Sequence, residues 1–251
     1  QMCIRDRNSN ATICLLDTGV SSAHPLLEPF IHEQDIHTVF DDGDVSDSDG
    51  HGTGMAGVAL YHDLNQSLLS RDTITIPYRI ESSKILRNQK NDPELYGAIT
   101  AQGILFNEIE NPDKDRSICM AVTTDATDGH PTSWSGAIDE IVAGVNIFGA
   151  DNENKRIMLI SAGNVELSEF RDIKYPAANI NSYIQNPGQS WNALTVGAYN
   201  SKIRIDDTAF LGCHPVADVG ELSPYSSTSV FWDNKWPIKP EILMDGGNIV
   251  Y

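Results

Sequence analysis

Four short apolar runs constrain this chain more than anything else in it. ICLLD (residues 13–17), RSICMAVTT (116–124), RIMLISAGN (156–164) and WNALTVGAY (191–199) are too short for buried helices and too continuously apolar for strands with one wet face. Strands of that kind belong to parallel sheets covered on both faces. Stretches of helical periodicity lie between them. One starts at His51, carries Met55, Val58 and Ala59, and is expected to run to about Asp63. A second is opened by Pro93, lined by Leu95, Ile99, Phe106 and Ile109, and stopped at Asn111-Pro112. A third has Ile138, Ile141, Val142 and Val145 on one stripe, with Gly149 near its end. Two shorter β-like runs, TITIPYRI from Thr73 and KIL from Lys84, precede the second helix. The alternation predicts an α/β fold of three layers, a mostly parallel central sheet with helices on both faces. In such sheets active sites gather at the carboxyl ends of strands, where Asp17 and Asn164 fall.

A length of 251 residues suits one domain. The leader QMCIRDRNSN (1–10) is polar, lacks strand alternation, and its letters MCIRDR resemble a translated sequencing-adapter remnant, so the domain is taken as 11–251. The net charge of −18 repels phosphate backbones and anionic membrane surfaces, which argues against nucleic-acid and membrane partners. Cys3, Cys14, Cys119 and Cys213 form no C-x-x-C pair or metal spacing and read as free thiols. That pattern fits a reducing, cytoplasmic setting. No apolar run reaches the length of a membrane span, and nothing selects an oligomeric state.

Two of the segments carry chemistry. ICLLDTG (13–19) ends a strand on a carboxylate held by a turn, and HGTGMAG (51–57) presents an imidazole where a loop becomes a helix. An Asp and a His so placed suit a weak hydroxyl nucleophile, because the His takes its proton and the Asp fixes the tautomer and stabilises the imidazolium. Asp49, two residues before His51, reads as a turn or capping residue. The acidic loop HTVFDDGDVSDSDG (37–50) fails as an EF-hand, since the first and last ligand places fall on Val45 and Ala56, and reads as a solvated connection.

The Asp-Thr-Gly and His-Gly-Thr-x-Met-Ala-Gly boxes, 34 positions apart, resemble those of the subtilisin-like serine peptidases, the subtilases. The resemblance implies Asp17 and His51 as triad members and polypeptide as substrate. It implies Asn164 of the SAGN box as the amide donating to the oxyanion of the tetrahedral intermediate. It also places Met120, Ala121 and Val122 in the strand that pairs with substrate and walls the specificity pocket, although the same residues read equally well as core. Tyr175-Pro176-Ala177 matches a further family segment. Gly54 stands where the family often has a second His. No cofactor is implied; many subtilases hold structural calcium, but no ligand set maps onto this sequence.

The serine box of the family, Gly-Thr-Ser-x-Ala, does not occur in the 251 residues, while SPYSSTS (223–229) and KPEILMDGGN (239–248) resemble the segments before it. The expectation is a fragment ending ahead of its nucleophile, inactive by itself and marginally stable. Ser190 and Ser229 lack the glycine context of a nucleophile elbow. Two rival readings remain. An aspartic peptidase would explain LLDTG but needs a second such loop and an all-β chain. A non-catalytic pseudopeptidase or peptide-binding module would keep the fold without the nucleophile.

Overall fold

The computed structural model describes residues 3–6, 10–69, 73–87, 91–145 and 155–251. Length suggests one domain; the contacts divide the chain into two compact units, 1–121 with 140–158, and 122–139 with 159–251.

The first unit contains β1 (Cys3–Asp6), β2 (Ala11–Asp17), β3 (Ile36–Thr38), α1 (His51–Tyr61), α2 (Leu64–Leu69), β4 (Thr73–Ile76), β5 (Arg79–Lys84), α3 (Tyr96–Glu110) and β6 (Asp115–Met120). Four of its strands form a parallel ladder in the order β3-β5-β2-β6. As the apolar run predicted, β2 is central and buried from Cys14 through Asp17. Its Leu15 joins Val20, Phe30, Ala56, Leu60 and Tyr61 in an apolar core between strand and α1. Two hydroxyls fix the helix further: Tyr61 donates to the Leu26 carbonyl at 2.7 Å and Tyr78 to that of Ala59 at 2.9 Å.

Several expectations need correction. Within the leader, Cys3–Asp6 pairs in parallel with β4, because strand pairing uses backbone groups and needs no side-chain alternation; residues 1, 2 and 7–9 lie outside the described residues. The run from Thr73 forms β4 as expected, but the second strand ends at Lys84 instead of starting there: β5 is RIESSK, a polar strand buried from Ile80 to Lys84. Glu81, Ser83 and Lys84 each have a partner there. Glu81 takes a two-pronged ion pair from Arg116 at 2.5 and 2.8 Å, and the Ser83 hydroxyl donates to the Gly103 carbonyl at 2.6 Å. The Lys84 ammonium donates to Asp44 and to the Ser46 carbonyl at 2.7 and 2.6 Å.

This polar strand also redirects α3. Its buried face is Thr100, Ala101, Gly103, Ile104 and Asn107, while Leu95 and Ile109 are exposed. Asn107 donates to the Ser83 hydroxyl at 2.8 Å, and a Cβ on Gly103 would come within 2.9 Å of Ile85. Apart from Ile104, small and polar residues fit this contact in place of Leu95 and Ile109. Likewise α1 ends at Tyr61 and leaves Val58 exposed.

α4 (Ser133–Ala143) and β7 (Ile157–Ser161) have residues in both units. Ile138, Ile141 and Val142 are buried as expected, but the helix ends before Gly144, which adopts φ +79°. Val145 is exposed, and Gly149 lies outside the described residues. The second unit adds α5 (Ala177–Asn181), β8 (Leu194–Tyr199) and β9 (Ile242–Asp245). Here β8 pairs in parallel with both β7 and β9. Burial alternates between buried and half-buried residues along most of β7 and β8, and β9 is exposed throughout. Both units are thus α/β assemblies with parallel sheet. Among the described residues no helix is long and apolar enough to cross a membrane.

Candidate active site

Asp17 closes β2 and is 3% exposed. Its backbone carbonyl accepts from the N–H groups of Ile85 and Leu86 at 2.8 and 3.3 Å, so the strand end is pinned to the exit of β5. Its Oδ1 accepts from the Thr18 N–H at 2.7 Å and lies 2.7 Å from His51 Nδ1. A carboxylate only accepts, which assigns the imidazole proton to Nδ1 and leaves Nε2 with a free lone pair. The hydrogen bond to Asp17 raises the His51 pKa above its ordinary value; partial burial opposes it, and the charges of Asp17, Asp49 and Asp47 add to it. The His51 side chain remains 46% exposed.

The local sequence explains why the pair meets. His51 is the first residue of α1, and the helix start is pressed onto the Asp17 turn: a Cβ on Gly52 would lie 2.1 Å from the Gly19 carbonyl oxygen. Only glycine fits after the histidine. Gly19 itself sits at φ +103°, where a Cβ would meet the Val45 carbonyl at 2.7 Å.

The N-cap residue of α1 is Gly50, and the carboxylate that holds its first turn is that of Asp47, not Asp49. Asp47 Oδ2 accepts from the Thr53 N–H at 2.8 Å and the Thr53 hydroxyl at 2.5 Å, and Oδ1 accepts from the Gly50 N–H at 2.8 Å. Asp49 contributes a backbone N–H to the same carboxylate at 3.2 Å. Partial burial opposes ionisation of Asp47, but the bonds from Thr53, Gly50 and Thr18 outweigh it and hold its pKa at about 2. The acidic loop is therefore not merely solvated. Asp44 is tied to the buried Lys84, whose ammonium holds that carboxyl well below its usual range, and Asp42 pairs with Arg87. Sequence reading missed Asp47 and Lys84; an acid four residues before a helix-opening His was the signal available.

In the second unit, Asn164 follows β7 and Gly163, which adopts φ +94°. Its backbone is clamped by Gln185, whose side chain accepts from the Asn164 N–H and donates to its carbonyl, both at 3.3 Å. A bridge to Ser226 completes the clamp. The residue is exposed, and its side-chain amide has no hydrogen bond among the described residues.

A Subtilase family model matches residues 8–251. The chain belongs to the subtilase family. Solved structures agree on the fold: the epidermin leader peptide processing serine protease of Staphylococcus aureus matches with a TM-score of 0.56 at 15% identity, over 96% of this chain and 53% of that one. A serine protease of Aeromonas sobria gives 0.52 at 14% identity, covering 95% and 36%. A psychrophilic protease gives 0.51 at 20%, covering 90% and 61%. The chain thus spans between about a third and three-fifths of these three structures. No curated protein sequence matches it.

Within this subtilase the remaining predicted positions fall as follows. Met120 is fully buried, Val122 is 8% exposed, and Ala121 is partly exposed. A Cβ on Gly54 would meet nothing within 4 Å, and the residue borders a cavity of about 320 Å³ shared with Leu26, Val58 and Tyr61. The Tyr175-Pro176-Ala177 segment gains a structural role: Tyr175 donates to the Leu222 carbonyl at 2.9 Å, and the buried Asn179 amide donates to the carbonyls of Ser223, Pro224 and Ser226 at 3.0, 2.9 and 3.0 Å.

Neither serine weighed as a nucleophile has a suitable setting. Ser190 is fully buried and donates to Asp139 at 2.6 Å, and the Ser229 hydroxyl accepts from the Lys239 N–H at 2.9 Å. Cys14, Cys119 and Cys213 are free thiols. Burial pushes the Cys119 thiol up to about 11 and Cys14 higher still, so neither offers a thiolate near neutrality. Among the described residues no three His, Cys, Asp or Glu side chains gather as a metal would require.

Proposed function

We propose that this subtilase is a serine endopeptidase in which Asp17 and His51 are two members of the triad and Asn164 donates to the oxyanion. The observation that carries the reading is the 2.7 Å contact of His51 Nδ1 with Asp17 Oδ1. The serine would come from a Gly-Thr-Ser-x-Ala box, which residues 1–251 do not contain. In the acylation step the serine Oγ–H proton passes to His51 Nε2 as the Oγ–C bond forms at the scissile carbonyl. Asp17 stabilises the imidazolium, which then protonates the leaving amine, and water repeats the sequence to release the acid. The exposed, unengaged amide of Asn164 would meet the oxyanion as charge develops, stabilising the transition state more than the substrate. An extended peptide would pair with the backbone at Met120, Ala121 and Val122, the buried Met120 and Val122 side chains supporting that segment from the core.

The test is a reading frame extended past Tyr251, expressed and assayed on unfolded protein or fluorogenic peptides. His51→Ala should lower kcat by roughly 10⁶-fold, and Asn164→Ala by about 10² to 10³, magnitudes measured on subtilisin itself. Residues 1–251 alone should not turn over substrate. Hydrolysis unaffected by His51→Ala, or a frame with another residue at the serine position, would sink the proposal and leave the peptide-binding module.

A further inference from the structure

Asp17 Oδ1 already serves two donors, the Thr18 N–H and His51 Nδ1–H, each at 2.7 Å. A carboxylate oxygen offers two lone pairs, so a third donor there would compete with the imidazole. One stands close by: the Thr18 hydroxyl oxygen lies 3.2 Å from the same Oδ1. That hydroxyl has a single proton, and a nearer acceptor claims it, Asp47 Oδ1 at 2.8 Å. With the proton directed to Asp47, a lone pair of Thr18 Oγ1 accepts the Gly52 N–H at 3.0 Å, linking the Asp17 turn to the residue after His51. Asp47 is placed to hold that role: Oδ1 takes the Thr18 hydroxyl and the Gly50 N–H, both at 2.8 Å, with the Asp49 N–H farther off at 3.2 Å, while Oδ2 is fixed by the N–H and hydroxyl of Thr53.

We propose that Asp47 is a positioning residue for the Asp17–His51 pair, which it serves by drawing the Thr18 hydroxyl proton away from Asp17 Oδ1. The inference rests on reading Asp17 and His51 as the acid–base pair of the reaction. When Asp47 is removed, the Thr18 hydroxyl turns to the oxygen 3.2 Å away and shares it with His51. Asp17 then binds the imidazolium less tightly, and the base loses part of its drive to take a proton. The charges facing His51 are Asp17 from β2 and Asp47 and Asp49 from the loop; the first turn of α1 brings no acidic residue.

The test is a double-mutant cycle read by NMR titration of histidine in the 251-residue protein, independent of turnover, so its failure is separable from failure of the peptidase reading. Asp47→Ala should lower the His51 midpoint by about one pH unit and weaken the downfield Nδ1–H resonance. In a Thr18→Val background the same change should have a much smaller effect, because no hydroxyl remains to compete. Thr18→Ser should restore the full effect of Asp47→Ala. Asp49→Asn, a through-space control, should leave the Nδ1–H resonance in place. If Asp47→Ala loosens the first turn of α1, Asp47→Asn gives the second reading, since it keeps an oxygen facing Thr18 and should shift His51 less than alanine. An equal effect of Asp47→Ala in both Thr18 backgrounds, or none in either, would overturn the proposal and reduce Asp47 to a helix cap or a distant charge.

Discussion

The turn at Asp17 and the turn at Asn164 are held in opposite ways. Around Asp17 and His51 the scaffold is ionic: Asp47 gathers five donors, the buried Lys84 clamps Asp44, and Arg116 closes on Glu81 behind them. Around Asn164 the clamp is neutral, made by the Gln185 amide, the Ser226 bridge and, beneath Ser223–Ser226, the buried Asn179 amide. The difference matches the two tasks of the proposed function. A general base would need its proton assigned to one nitrogen, which a fixed carboxylate does; an oxyanion donor would need an amide left unengaged, which a neutral backbone clamp allows.

Glycine substitutions should break the comparison most sharply. Gly52→Ala would drive a methyl into the backbone oxygen of Gly19 at 2.1 Å, with no side chain able to yield, and should destabilise the protein by about 3 kcal/mol or more in denaturant unfolding. Gly163→Ala meets the Gln185 side chain, at 2.4 Å from Oε1 and 2.6 Å from Cβ, which can yield only by releasing its hold on Asn164, and adds left-handed strain, so its cost should be about 2 kcal/mol. Equal losses would show that the Asp17 turn is softer than its geometry implies.

Asn179→Ala tests the neutral scaffold directly. Three buried carbonyls lose their donor, and a loss of about 2–3 kcal/mol is expected, with faster amide exchange at Ser226. An unchanged midpoint of unfolding would mean that water replaces the amide at little cost.

The pH response should separate the two regions at smaller amplitude. His51 has a raised pKa in the folded state, so its contribution is fully present below the unfolded value of about 6.5 and is lost as pH rises through the folded value. Asp47 has a depressed one, so its contribution is present above about 3.9 and is lost as pH falls toward about 2. Both side chains are partly solvated, which keeps each effect below about 1 kcal/mol. Asp17→Asn should remove the neutral-range component while leaving Asn164 amide exchange protection unaltered. A pH response around neutrality that survives Asp17→Asn would place its origin elsewhere.

Gly54→Ala should do least. Nothing lies within 4 Å of the added carbon, and a helical glycine is replaced by a better helix former, so stability should rise by a few tenths to about 1 kcal/mol. A loss would show that the adjoining cavity is tighter than it looks.

The same contrast marks what could be read from residues alone. Cys14–Asp17 were legible as a buried strand because an apolar run can mean little else, and the Asp17 and His51 boxes carry their glycines with them. β5 was not legible, since Glu-Ser-Ser-Lys looks like a surface loop until Arg116, Asn107 and Asp44 arrive from distant parts of the chain. The face of α3 was misread for the same reason: its partner is that polar strand, which selects Thr100, Gly103 and Asn107 over Leu95 and Ile109. At α1 the carboxylate that holds the first turn is that of Asp47, not Asp49, because a loop turn, invisible in sequence, folds the earlier carboxylate under Thr53. Asn179 gave no signal at all; its importance depends on three carbonyls more than forty residues away.

The most direct measurement of the central claim is covalent labelling of the extended protein with a fluorophosphonate, followed by mass mapping of the adduct. The account predicts one labelled serine, in a Gly-Thr-Ser-x-Ala box beyond Tyr251, with labelling abolished by His51→Ala and strongly slowed by Asp17→Asn. No adduct on a folded, extended protein, or an adduct formed equally well without His51, would contradict it.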